Sequence, residues 1–294
     1  MAVYKRTYRG YSGPMTPAWS RFLVLYRFSR KTLFRSKLQT SFFVLCFFFP
    51  LLCLLGIYAN YHLSAFSFLA SRKEALFTVD GKFFLFYLNF QGALAFILTA
   101  FVGPGLVSPD LANGGLTLYL CRPLSRTEYV LGKMSVLVIL LSWITWVPGL
   151  ILFFVQASLS GFHWMLDNLW IASGILVGSF VWIITLSLLS LALSAWVKWR
   201  IAAGALLVAI LFLGAGFAQA INAVLRTQQG YLVAVTRLVS VISHDLFRQN
   251  TASTFTTSST QVFSVTEAWI ALLVIACLCL FLLMRKVKAN EVVR

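Results

Sequence analysis

The stretch SPDLANGGLTLYLCRPLSRTEYVLGKM, residues 108–134, is a polar, glycine-broken segment lying between two long apolar runs. Ser108-Pro109 has the form of a helix start, with serine as N-cap and proline at the first helical position. Asn113-Gly114-Gly115 interrupts that helix, and Leu116 to Cys121 supplies a further short apolar turn or two. Arg122-Pro123 closes it, because proline disfavours helical backbone at the residue before it. Ser125-Arg126-Thr127-Glu128 then has the spacing of a capping box, in which serine and glutamate each cover a free backbone N–H. The expected order is short helix, hinge, short helix, hinge, long helix. That is a shaped knuckle rather than a loose loop.

Outward from the knuckle the chain is apolar. Of its 294 residues, 60 % are hydrophobic and 11 % charged, where a soluble domain carries about a quarter charged. Runs of about twenty apolar residues recur, each long enough to cross a hydrocarbon core about 30 Å thick. The chain therefore reads as an all-α polytopic membrane protein with no room for a separate soluble domain. Six transmembrane helices are expected near 39–60, 85–107, 130–156, 168–196, 201–224 and 266–284. Pro50 is expected to bend the first and Trp146-Val147-Pro148-Gly149 the third, while Gly103-Pro104-Gly105 loosens the second where it reaches the knuckle. In the fourth, Gly174 and Gly178 permit close helix approach. Its Thr185, Ser187, Ser190 and Ser194 are expected to bond backbone carbonyls or neighbouring helices.

Residues 1–38 form a basic tail followed by a helix. Trp19, Phe22, Leu23, Tyr26, Leu33 and Phe34 recur at helical spacing, while Arg27, Lys31 and Arg35 make an i, i+4, i+8 stripe. Opposed faces of this kind predict a helix lying in the membrane interface, cations toward anionic lipid headgroups. A nucleic-acid-binding arm is the rival for such a stripe. The net charge of +16 is read instead as basic residues at a membrane surface, with no nucleic acid as partner. Residues 39–284 make the transmembrane domain, with a coupling segment at 108–133, and 285–294 a short basic tail. Within the domain, Tyr231, Val235, Leu238, Val239, Ile242 and Leu246 follow helical spacing in the long segment 225–265. They predict an amphipathic helix on the outer surface, a re-entrant helix being the alternative. Eighteen of the 24 Lys and Arg fall on the side of both termini, the knuckle and the 197–200 turn. The positive-inside rule places that side in the cytoplasm, which an even number of spans permits. The first span is expected to be an uncleaved anchor.

The chemistry a site would need is sparse. No ionisable residue falls at a predicted span centre, which counts against ion-coupled transport. His62, His163 and His244 fall in loops, where solvated side chains are expected, and no H-E-x-x-H or G-x-S-x-G occurs. Cys46, Cys53, Cys121, Cys277 and Cys279 have neither zinc spacing nor a disulfide framework and are expected to pack as small apolar residues. No Walker A sequence is present, so no enzymatic activity or cofactor is expected in this chain. A bundle that does work without an ion relay or nucleotide site takes its energy from a partner, and the knuckle is the docking site on offer.

Asp110, Gly114-Gly115-Leu116-Thr117, Leu120, Arg122-Pro123-Leu124-Ser125-Arg126, Glu128-Tyr129 and Gly132-Lys133 occur in an order that resembles the second-to-third-span segment of ABC-2 type transporter permeases. Two departures stand out: the acidic residue, usually Glu, is Asp110, and an extra glycine precedes Leu116. The resemblance implies a six-span half-transporter with an N-terminal interfacial helix and a cytoplasmic coupling helix between spans 2 and 3. It pairs with a second permease subunit, identical or a paralogue. A separate cytoplasmic ABC ATPase, which binds ATP and Mg, docks beneath it. By the same resemblance Asp110, Asn113, Gly114, Gly115, Arg122, Pro123, Ser125, Arg126, Glu128 and Lys133 form the coupling site. Arg27, Lys31 and Arg35 face membrane lipid. The implied location is the bacterial cytoplasmic (inner) membrane, and the implied activity is outward movement of an amphipathic lipid, glycan, peptide or drug. Two alternatives stay open: an ATPase-coupled assembly or regulatory protein that transports nothing, and a membrane-embedded enzyme using Asp167, Asp245 and His244.

Overall fold

The computed structural model describes residues 20–34, 36–62, 78–115, 125–225, 229–249 and 264–287, and these contain no strand. Their helices are α1 Arg21–Leu33, α2 Lys37–Leu45, α3 Phe48–Tyr61, α4 Gly81–Val102, α5 Pro104–Ala112 and α6 Arg126–Ile144, then α7 Trp146–Ser160, α8 Phe162–Asp167, α9 Leu169–Trp196, α10 Arg200–Leu225, α11 Val235–Leu246 and α12 Val265–Lys286. A 3₁₀ turn over Gln229–Val233 precedes α11. Six stretches are long and apolar enough to cross a membrane. They are span 1 (Lys37–Tyr61), span 2 (Gly81–Ala112), span 3 (Arg126–Ser160), span 4 (Leu169–Trp196), span 5 (Arg200–Val224) and span 6 (Val265–Lys286). Each overlaps a run expected from the sequence. Span 4 sits at the centre, packed against the other four spans from span 2 onward and against α11.

Three spans break where proline withdraws a backbone donor. α2 stops at Leu45 and α3 starts at Phe48, with Pro50 in its first turn. A proline there leaves the Cys46 carbonyl, four residues back, without its helical partner. Gln91 of span 2 supplies one: its Nε2 donates to Cys46 O at 2.9 Å. Span 3 breaks at Thr145, ahead of Pro148, and the Tyr87 hydroxyl donates to Thr145 O at 2.9 Å. Span 2 breaks at Gly103, with Pro104 opening α5. Arg200 at the start of span 5 donates from Nη2 to Phe101 O at 3.1 Å beside that break. Gln91→Leu keeps the volume but leaves Cys46 O bare inside the bundle. We expect it to cost about 1–3 kcal/mol, read as a lowered thermal unfolding midpoint in detergent; an unchanged midpoint contradicts this account of the break.

α1 packs along the first turns of span 3. Leu25, Ser29 and Leu33 form its buried face, while Arg27, Arg30 and Lys31 are exposed. The basic stripe thus points outward as its spacing predicts, with Arg35 outside the described residues. The buried face is turned from the expected Leu23 and Phe34 because a protein neighbour, span 3, takes that side.

α11 runs lengthwise along span 4. A Cβ added at Gly174 would lie 3.3 Å from the Phe247 ring, and one at Gly178 would lie 3.8 Å from Leu246. Leu238 and Ile242 pack with Val181 of span 4 and with Ala268 and Leu272 of span 6. At the opposite end, Val235 shares a hollow with Leu189 of span 4 and Ile210 of span 5. Gly174 to Leu189 covers about 22 Å of helix at 1.5 Å per residue, so α11 and the residues at its two ends follow much of span 4. Gly174 thus receives the end of α11, while at Gly178 the nearest atom to an added Cβ is Leu88 of span 2 at 3.0 Å, the close approach of two spans that was expected. His244 corrects an expectation: it is 5 % exposed, not solvated, because spans close on both sides of α11.

Candidate functional site

The knuckle's base is built from both of its flanks. Asp110 lies near the end of α5, and Tyr129 and Lys133 lie one turn apart on α6, so both side chains face it. Lys133 Nζ is 2.8 Å from Asp110 Oδ2. The Tyr129 hydroxyl donates to the same oxygen at 2.9 Å, and Lys133 Nζ also donates to Ser29 Oγ of α1 at 3.4 Å. Lys133 is 6 % exposed and Asp110 20 %. A buried lysine is costly unless paired, and here one carboxylate serves both the ammonium and the phenol. The cluster joins α1, α5 and span 3 at one point.

A second clamp joins α5 to span 4. Ser194 Oγ accepts from the Ser108 amide at 2.9 Å and donates to Pro104 O at 3.0 Å. Those are the two backbone groups that close one helical turn, so the serine is inserted at the turn that follows the proline. The Ser108 hydroxyl lies 2.9 Å from Ser194 O and 2.7 Å from Val197 O. This corrects the expectation that Ser108-Pro109 begins the helix. The helix begins at Pro104, Pro109 lies inside it, and the Ser108 side chain faces span 4 instead of capping. Gly103 sits against Ser190 of span 4, and Gly204 of span 5 lies so close that an added Cβ would be 2.7 Å from Ala100 O. Thr185 bonds Val181 O at 2.7 Å, as expected, whereas Ser187 and Ser190 have buried hydroxyls with no partner among the described residues.

Above this base lies an exposed rim. Asn113 ends α5, and Gly114 follows at φ +67°, the left-handed conformation that commonly terminates a helix. Gly115 is half-buried. Leu116 to Leu124, including the site residues Arg122 and Pro123, lie outside the described residues. Ser125 reopens the chain as N-cap of span 3: its Oγ accepts from Glu128 N at 3.2 Å, and Glu128 Oε2 accepts from Ser125 N at 2.6 Å. The predicted capping box is present, with Ser125 and Arg126 exposed. So the ten residues expected to form a coupling site divide. Asp110 and Lys133 tie the chain to itself, Ser125 and Glu128 fix a helix start, and Asn113, Gly114 and Arg126 face outward.

Ser29 and Arg200 carry little signal in the sequence, and the signals at Pro104 and Ser194 do not say that the two meet. Ser29, Ser194, Pro104 and Arg200 come from four separate stretches and meet only in three dimensions. Tyr129 does carry one, since it stands four residues before Lys133 and shares its helix face. Ser264-Val265-Thr266-Glu267 repeats the Ser-x-Thr-Glu pattern and caps span 6 in the same way. No family model matches this sequence, and no curated protein does.

Proposed function

We propose that the chain is the membrane subunit of an ABC-2 type exporter. It works as one of two such bundles and moves an amphipathic substrate outward on ATP hydrolysed by a separate subunit docked at the knuckle. That subunit holds the ATP and Mg; this chain contributes the lever. The carrying observation is the double clamp: Asp110–Lys133–Tyr129 fixes the knuckle to span 3, and Ser108–Ser194 fixes it to span 4. A push on the exposed rim then displaces the ends of spans 2, 3 and 4 together. The Ser125–Glu128 cap stiffens the far side of the same lever.

Charge supports placing the knuckle on the cytoplasmic side; the bacterial inner membrane is what the resemblance implies. Arg200 reaches Phe101 O near the knuckle base, and Lys286 at the end of span 6 stacks on Trp196 at the end of span 4, 5.3 Å from its ring centre. The cations thus gather at the knuckle's end of the bundle, and the positive-inside rule assigns that end to the cytoplasm. Arg27 and Lys31 of α1, exposed at that level, are suited to anionic headgroups.

The test is purification of the chain from its native membrane in mild detergent, followed by identification of what accompanies it. We expect a nucleotide-hydrolysing subunit to co-purify. Arg126→Glu, a charge reversal on the exposed rim, should weaken that association about tenfold or more, as charge reversals at interfaces do. Glu128→Ala should retain the subunit but lower transport-linked hydrolysis, because the cap is lost at a cost of about 1 kcal/mol. A chain that purifies alone and shows no hydrolysis contradicts the proposal.

A further inference from the structure

Spans 2, 4 and 5, Thr145 at the break of span 3 and α11 border a half-open hollow of about 390 Å³. Leu88 to Phe96, Gly178 to Trp182 and Leu211 to Ala215 line it, and all fall midway along their spans. Its size is that of a small-ligand pocket, which commonly runs from about 300 to 1,000 Å³. Phe96, Trp182 and Phe212 give it aromatic walls. A row of uncharged polar side chains lines it as well. Thr236, Ser240 and Ser243 follow at i, i+4 and i+7 on one face of α11, and Asn89 of span 2 joins them.

None of those four side chains makes a hydrogen bond among the described residues, and the Ser179 hydroxyl at the same hollow has no partner either. Ser179 and Ser243 are buried, Thr236 and Ser240 half-buried and Asn89 exposed, and polar groups along a membrane span are ordinarily satisfied by the protein itself. Here five are left over around one space. No Asp, Glu, Lys, Arg or His lines it, so a charged guest would find no counter-ion there and would lose its hydration. The only chemistry that matches is a neutral head carrying hydroxyl or amide groups, attached to an apolar body.

We propose that this hollow binds an uncharged, hydrogen-bonding amphiphile, its head against Asn89, Thr236 and Ser240 and its apolar part against Phe96, Trp182 and Phe212. The site stands on the cavity alone and does not require that the chain be driven by an ATPase. The experiment uses the full chain in nanodiscs with two photoreactive probes of identical acyl chains: diacylglycerol, which is neutral, and phosphatidic acid, which is anionic. Labelled peptides are identified by mass spectrometry.

Diacylglycerol is expected to label 88–96 and 236–243 in clear preference to phosphatidic acid. Thr236→Val with Ser240→Ala keeps the shape and removes two hydroxyls. At about 1 kcal/mol each, labelling there should fall about thirtyfold. Ala215→Trp, which fills the hollow from another helix, should lower it similarly. Labelling of the exposed Phe48–Leu55 face of span 1 serves as the control for a folded bundle and should not change. Equal labelling of 88–96 and 236–243 by both probes would overturn the proposal. So would undiminished labelling in either variant.

Discussion

Lys133→Met is expected to be the most damaging single substitution at the knuckle base. Methionine fills the same space but leaves the Asp110 carboxylate with the Tyr129 hydroxyl and without its cation, 2.8 Å away. Removing one partner of a buried pair costs about 3–5 kcal/mol, because the other charge stays behind. The lower end applies here, since Asp110 is 20 % exposed and water can reach part of it. Asp110→Asn with Lys133→Met removes both charges, and stability should largely return. A double-mutant cycle on unfolding midpoints in detergent measures this. A Lys133→Met protein as stable as wild type would show that the pair does not hold α5 to span 3.

Gly204→Val should rank second. The Cβ would stand 2.7 Å from the Ala100 carbonyl oxygen and 3.5 Å from Pro104 Cγ. The first obstacle is backbone and the second is a ring, so neither can turn aside as a flexible side chain does. Overpacking of this kind costs about 1–3 kcal/mol, and the upper end is expected. Gly214, on the same helix, meets nothing within 4 Å of an added Cβ. Gly214→Ala is therefore expected to be neutral, or stabilising by up to about 1 kcal/mol through helix propensity. Equal losses from both substitutions would mean that span 5 tolerates no change in general, and that its approach to the Pro104 break is not special.

Much of the architecture was legible because the physics is local. Apolar runs of span length, Pro50, Pro104 and Pro148, and the Ser125–Glu128 spacing each carry their own consequence within a few residues. All appear as helices, breaks and a cap at the expected places. The Ser108-Pro109 pattern misled for the same reason. As a local signal it is a good helix start, but Ser194, 86 residues away in sequence, takes its amide and hydroxyl. Lys133 shows the same limit. The motif gives its place in the chain, while its burial depends on Asp110 and Ser29 converging from two other helices. The periodicity of residues 231–246 gave the helix but not its seat, since an apolar stripe serves a lipid surface and a protein groove equally well.

If a nucleotide-hydrolysing subunit docks on the exposed rim of the knuckle, it lies within reach of a probe there. A photoreactive amino acid placed at Asn113 tests this docking most directly, with the same probe at Asp167, beyond the far end of the lever, as control. Asn113 and Asp167 are both exposed, so accessibility does not favour either. Crosslinking in native membranes is expected from Asn113 to an ATP-binding protein, and none from Asp167. Crosslinking to no such protein from Asn113, or equally from both positions, would contradict the docking.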